Sequence, residues 1–354
     1  MTHVGEHIEM TVNETNQYIK ETLKSYCDNI IPERAFEVKM PHVLFLNRKE
    51  FEELSKSKLH FYFELSAIRF VIIDIESVYY LIAVGDKNLK SNNTDIIETQ
   101  LSNSIFLGCA KALKLKVPTY VSAYDIIEQI YEPADGSDEG YSLDTLSGLF
   151  EPLKAFIVPE ELVQSKDIYS TIGKIIVTND QLKTLPFSQE TISSFIDFFD
   201  NGFFDYNVLN SYLSYCWRYS FLDVYRCLEP LFRHLVLPDL KNALGVSATI
   251  DTLGDLLDKH CGWRPQETGS MQKIFDEKSG YLSDGLLLRF KNLAIGDNPN
   301  ERVGNSVYQL RNRIVHHQDQ YSLIEARLTP DKWDLLIGCI LDAIVELRNK
   351  FPYN

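Results

Sequence analysis

The sequence predicts two dissimilar halves: an α+β N-terminal domain over residues 1–185, followed by an all-α helical bundle over residues 186–354. Three observations predict this. Residues 60–73 and 78–85 are rich in aromatic and β-branched side chains, the composition of strands. Beyond residue 187, apolar side chains recur at the three-to-four spacing of helices that face a core. Between the halves lies a polar, turn-forming stretch, Asn179–Pro186, which places a linker near residues 180–187.

The chain-wide numbers fit a globular protein with room for both domains: 354 residues, 45% apolar and 24% charged. The polar start (MTHVGEHIEMTVNETNQYIK) predicts no signal peptide, and no apolar run is long enough to cross a membrane. Six scattered cysteines without a C-x-x-C pair predict a reducing cytoplasm and no zinc ribbon. The net charge of −15 is unevenly placed. Residues 1–204 hold 31 acidic and 18 basic side chains, whereas residues 205–354 hold 19 and 17. An acidic chain is a poor coat for long duplex DNA. A near-neutral C-terminal half can still grip a few phosphates of a single strand.

In chain order, Glu14–Cys27 reads as a short helix. Val43–Leu46 is a brief apolar run. The strand-like segments 60–73 and 78–85, separated by Asp74–Ser77, predict a hairpin or meander. Residues 96–114 carry helical periodicity, Pro118–Ser122 is strand-like, and Ala123–Tyr131 is a short helix. Glu132–Tyr141 is a loop, and Leu153–Val158 and Lys174–Thr178 are two further strands. No glycine-rich phosphate loop follows any of these strands, so no nucleotide cofactor is expected. Asp74, Glu76 and Asp86 sit beside strands, where a metal-dependent nuclease would carry carboxylates, but their spacing matches no metal-ligand pattern.

The C-terminal half opens with Ser188 as a helix cap. Residues 207–236 then form the longest helical pattern, thickened by Tyr212, Tyr215, Tyr219 and Tyr225 and kinked at Pro230. A helix apolar around so much of its girth is expected to touch its own bundle and a second surface, such as another protomer. Within it, Arg226, Glu229 and Arg233 are spaced for a local ion-pair row. Further helices follow over Ile250–His260, Leu286–Ile295, Glu301–His317 and Asp331–Phe351, with one more turn at Met271–Glu277. Four or five principal helices after residue 187 make a bundle.

Chemistry converges in Tyr308–His317. As a helix this segment puts Val303, Val307, Leu310 and Ile314 on one apolar stripe and places Asn312 and His316 together on a face roughly opposite. Arg311 can reach over either edge, and His317 turns back toward the apolar side. Cations in a last helical turn also serve the helix dipole, with no further role. Yet an imidazole that titrates near neutrality can take a proton from a ribose 2′-hydroxyl, and a guanidinium can steady the phosphorane-like charge that follows.

The run Arg311-Asn312-Arg313-Ile314-Val315-His316 resembles the Arg-Asn-x-x-x-His form of the R-x4-6-H motif of the HEPN superfamily. The resemblance covers roughly the last 150 residues, with its fine pattern confined to these six. It implies a HEPN-like helical bundle acting as a metal-independent endoribonuclease of a bacterial toxin or anti-phage, abortive-infection system. Catalytic Arg311, Asn312 and His316 would meet a second copy at a homodimer interface. It further implies an RNA substrate, no cofactor, no metal, no membrane, and a phage-derived trigger or regulatory protein acting on the N-terminal domain. Some members of the superfamily are catalytically inactive and bind RNA, a nucleotide or a partner protein instead.

Overall fold

The strand signal between residues 60 and 85 resolves into three antiparallel strands, β1 (Lys58–Leu65), β2 (Ile68–Ile75) and β3 (Val78–Val84). The structure is a computed structural model. It describes residues 12–32, 46, 48–65, 68–85, 88–91, 93–131, 141–165, 167–179, 181–295, 302–316 and 328–351. β2 and β3 are joined by Glu76 and Ser77, with φ of 53° and 64°. Two consecutive residues at positive φ make the two-residue turn whose twist matches a right-handed hairpin. Glu76 and Ser77 therefore close a hairpin within the expected gap 74–77, while Asp74 and Ile75 belong to β2, and the strand-like segment 60–73 is divided between β1 and β2.

The sheet continues through β5 (Leu153–Val158) to the short β4 (Ile97–Thr99), in the order β1-β2-β3-β5-β4, every neighbouring pair antiparallel. One face of β2 and β3, with Val71, Ile73, Ile82 and Val84, shares a buried core with Ile19, Leu23 and Cys27 of α1 (Val12–Ile30). The same core takes in Ile105, Phe106 and Cys109 of α3 (Asn103–Ala110), which follows α2 (Arg48–Ser55). Tyr26 of α1 donates its hydroxyl to the Val121 carbonyl at 2.7 Å. α4 (Ala123–Ile126) passes directly into a π-helical turn, Ile127–Tyr131. α5 (Leu143–Gly148) precedes β5, and α6 (Glu160–Gln164) follows it.

Several expectations change here. Residues 96–114 hold β4 and α3 rather than one helix, because Ser102 caps α3 by accepting from the Ile105 N–H at 3.2 Å. Pro118–Ser122 is a turn, not a strand: the Val121 N–H bonds back to the Pro118 carbonyl at 3.0 Å. Lys174–Thr178 is not a strand either. It closes α7 (Asp167–Val177), whose Ile168, Ile172, Ile175 and Ile176 line a buried helical face. A β-branched run reads equally well as strand or buried helix. Val43 and the loop residues 132–140 lie outside the described residues.

The chain divides into two compact units, Met1–Ile168 and Tyr169–Asn354, so the division lies earlier than the linker read near 180–187. The reason is packing. Phe187 stacks with Tyr212 at a centroid separation of 6.0 Å, and the Tyr212 hydroxyl donates to the Asn179 carbonyl at 3.2 Å. The polar stretch is thereby held by the helical unit.

That helical unit is built around α16 (Pro330–Lys350). Leu336, Ile337, Ile340, Leu341, Ile344 and Leu347 are all fully buried, so the helix is wrapped on several sides. α8 (Gln189–Asp200) lies along it. Its cap residue Ser188 accepts from the Thr191 N–H at 3.2 Å and donates its own N–H to Asp334 at 3.1 Å. The pattern over residues 207–236 is three helices, not one kinked helix: α9 (Tyr206–Leu213), α10 (Trp217–Leu228) and α11 (Phe232–Leu244). The first break is local side-chain competition, because the Ser214 hydroxyl bonds both the N–H and the carbonyl of Cys216. The second is a single 3-10 turn, Glu229–Leu231, containing Pro230, which has no N–H to continue the ladder. α12 (Ile250–Cys261), α13 (Glu267–Ile274), α14 (Asp284–Leu293) and α15 (Val303–Val315) complete the described helices, which exceed the four or five expected. No helix among the described residues is long and apolar enough to cross a membrane.

Candidate functional site

α15 buries Val307, Leu310 and Ile314 of the predicted stripe, while Val303, at its first turn, is only half-buried. Its seat is set by Gly304. A Cβ at that position would stand 2.4 Å from the carbonyl oxygen of Met271 in α13, so only glycine allows the two backbones to come so close. One helix end is thus pinned at Met271, while Arg311, two turns later, meets Glu267 at the start of α13. These two contacts make α13 and α15 antiparallel and carry Arg311 toward the junction of α10 with its 3-10 turn.

Arg311 is the best-anchored member of the motif. Nη1 donates to the Asn312 side-chain oxygen at 3.0 Å. Nη2 faces Glu229 Oε1 at 3.3 Å and Glu267 Oε1 at 3.6 Å. The guanidinium carbon lies 5.8 Å from the centre of the Tyr225 ring. Tyr225 is fully buried, and its hydroxyl has no hydrogen-bond partner; nor does Glu267 Oε2, which is buried as well. Burial pushes the Tyr225 hydroxyl well up, with the charge of Glu267 adding to the effect and Arg311 opposing it. Burial also raises Glu229 above the ordinary carboxylate range, although Arg311 pulls it down; Glu267 pushes the same way as burial. The geometry and these directions agree on one point. A single guanidinium is shared between two carboxylates that would otherwise be poorly compensated.

His316 stands exposed where α15 ends. Its N–H donates to the Asn312 carbonyl at 2.9 Å, the last helical bond of α15. At φ −95° and ψ 11° it leaves the helix, so it sits at the terminus and not on the helix side. The fold therefore joins Arg311 and Asn312 through their side chains and attaches His316 to Asn312 through the backbone. Arg302 is exposed at the head of the same helix. His317 lies outside the described residues.

The spacing of Arg226, Glu229 and Arg233 predicts an ion-pair row, but each goes elsewhere. Arg226 pairs with Asp223 at 2.7 Å, Arg233 with Asp255 at 2.6 Å, and Glu229 with Arg311. The 3-10 turn at Pro230 breaks the helical register that the row requires. Tyr215 and Tyr219 remain exposed and lie edge to face at 6.1 Å, while Tyr212 and Tyr225 are core. Glu267 is the partner that sequence reasoning missed. It lies in what reads as a featureless connection, and its signal is only an acidic residue in the first turn of a short helix.

In the N-terminal unit, the Asp74 carboxylate meets the His60 ring nitrogen at 2.8 Å. Glu76 belongs to the hairpin turn, and Asp86 lies outside the described residues. Among the described residues no group of three or more His, Cys, Asp or Glu side chains is placed to hold a metal ion. No family model matches the chain, and neither curated proteins nor solved structures give a match.

Proposed function

We propose that the helical unit is a HEPN-like, metal-independent endoribonuclease serving a bacterial toxin or anti-phage system. The observation that carries this reading is Arg311 fixed by Asn312 on the last turns of α15, with His316 exposed as the cap of the same helix. In this reading His316 takes the proton from a ribose 2′-hydroxyl. The 2′-oxygen attacks the adjacent phosphorus, the bond to the 5′-oxygen breaks, and that oxygen leaves with a proton. The ends are a 2′,3′-cyclic phosphate and a 5′-hydroxyl. Arg311 stabilises charge on the phosphate oxygens, and Asn312 holds Arg311 in place. A homodimer bringing two motifs together supplies the second acid–base group. The N-terminal unit serves as sensor or regulator for a phage-derived or protein trigger.

A second reading is favoured by a specific observation. Arg311 already faces two carboxylates, as it would in a catalytically inactive domain that binds RNA, a nucleotide or a partner protein. Growth of a bacterial host expressing wild type, Arg311→Ala or His316→Ala under phage infection separates the two. Growth arrest with fragmented total RNA in wild type alone supports the nuclease; identical behaviour of all three supports the binding domain.

A further inference from the structure

The surroundings of Arg311 raise a problem for any anion that would use it. Its two terminal nitrogens are already committed: Nη1 to Asn312 at 3.0 Å, Nη2 toward Glu229 at 3.3 Å and Glu267 at 3.6 Å. One face lies toward the Tyr225 ring. One positive charge faces two negative ones, so a phosphate arriving here meets net repulsion. Arg311 also compensates the acidic groups around it. Glu267 Oε2 and the Tyr225 hydroxyl are buried without hydrogen-bond partners, which leaves the carboxylate dependent on Arg311 for compensation. Withdrawing Arg311 would leave both carboxylates partly buried and uncompensated.

We propose that Glu229 and Glu267 form a carboxylate latch on Arg311 that holds the site closed to RNA phosphate, so that RNA gains the guanidinium only by taking it from them. The latch rests on the reading of this site as an RNA site. It explains how a full Arg-Asn-x-x-x-His run can sit in a carboxylate-rich setting and still serve a polyanion: the closed form is a resting state. It also names the elements that must shift for opening. Glu229 is on the 3-10 turn beside Pro230, and Glu267 is in the first turn of the eight-residue α13. Short and terminal elements of this kind move at lower cost than the centre of α16. Glutamine at either position keeps an oxygen that can accept from Nη2 and removes the competing charge.

The test is binding of a 5′-fluorescein oligouridylate, followed by fluorescence anisotropy in chelator, with all proteins carrying His316→Ala so that no RNA is consumed. The latch predicts that adding Glu267→Gln, or separately Glu229→Gln, tightens binding by about tenfold, as expected for removing one charge next to a phosphate contact. It predicts that adding Arg311→Ala to the Glu267→Gln protein abolishes the gain. Thermal melting of each variant checks that the fold is kept, and the two glutamine variants report independently should one not fold. If Arg311→Ala weakens binding but neither glutamine variant strengthens it, the latch is overturned and the RNA site stands. If neither the parent nor any glutamine variant binds, the latch and the RNA reading both fall.

Discussion

Two arginines, one in each unit, meet carboxylates in opposite ways. In the N-terminal unit Arg69 extends from β2, only 8% exposed at its side chain, and is held by three acceptors. It donates to the carbonyls of Leu113 and Lys114 and to Glu151, whose Oε2 also accepts from the Lys116 N–H at 2.9 Å. In the helical unit Arg311 is 20% exposed and shared between two carboxylates, with unsatisfied polar atoms beneath it and an exposed histidine nearby. A buried arginine tied to backbone carbonyls and a carboxylate fixes a fold. A shared one beside unpaired polar groups can exchange partners, which is what a site requires.

The sharpest way to break this comparison is to remove each guanidinium. Arg69→Met takes the guanidinium from two carbonyls and from Glu151, which keeps only the Lys116 N–H, and is expected to cost about 3–5 kcal/mol by urea unfolding. Arg311→Met, at a more solvated site with two facing carboxylates, is expected to cost only about 1 kcal/mol. Equal losses would end the distinction between a structural and a functional arginine.

Next in size, Gly304→Ala forces a Cβ against the Met271 carbonyl and should cost about 2 kcal/mol, by overpacking where only backbone can yield. The same substitution pushes α15 off α13 and so moves Arg311 away from Glu267. An unchanged urea midpoint would show that the helix seat is not fixed there.

A smaller effect follows from Glu229, which burial holds above the ordinary carboxylate range. A raised folded value favours the protonated native state. The stabilisation is therefore fully present below the unfolded value, about 4.3, and is lost as pH rises through the folded one. Glu229→Gln should then melt higher than wild type near neutrality, with the advantage shrinking toward about pH 4. A difference that does not vary with pH would contradict the burial argument. Smallest is thiol chemistry. Cys261 is exposed, whereas Cys109 and Cys227 are buried with thiols pushed well up, so a maleimide should label Cys261 first.

How much of this was legible in the sequence differs between the two units. The β2–β3 hairpin follows from composition and a short polar gap, because alternation and turn chemistry are local. The apolar stripe on α15 is equally local, and three of its four residues, Val307, Leu310 and Ile314, are buried, with Val303 half-buried at the helix start. Lys174–Thr178 was not legible as helix, because a β-branched run suits either a strand or a buried helical face. The break at Ser214 depends on one hydroxyl choosing backbone partners, which periodicity does not report. The site shows the same divide. Arg311 and Asn312 lie on α15 and His316 caps its end, so all three are visible from spacing. Glu229, Glu267 and Tyr225 reach them only through the packing of α10 and α13, at sequence separations no local pattern spans.

Cleavage itself is the most direct test of the central claim. Purified wild type, Arg311→Ala and His316→Ala would be incubated with a single-stranded RNA in excess chelator, and the ends of any fragments identified. The account predicts that wild type cuts without metal, leaving 2′,3′-cyclic phosphates, and that His316→Ala is slower by about 100-fold or more. Cleavage that disappears in chelator, or that survives both substitutions unchanged, would contradict it.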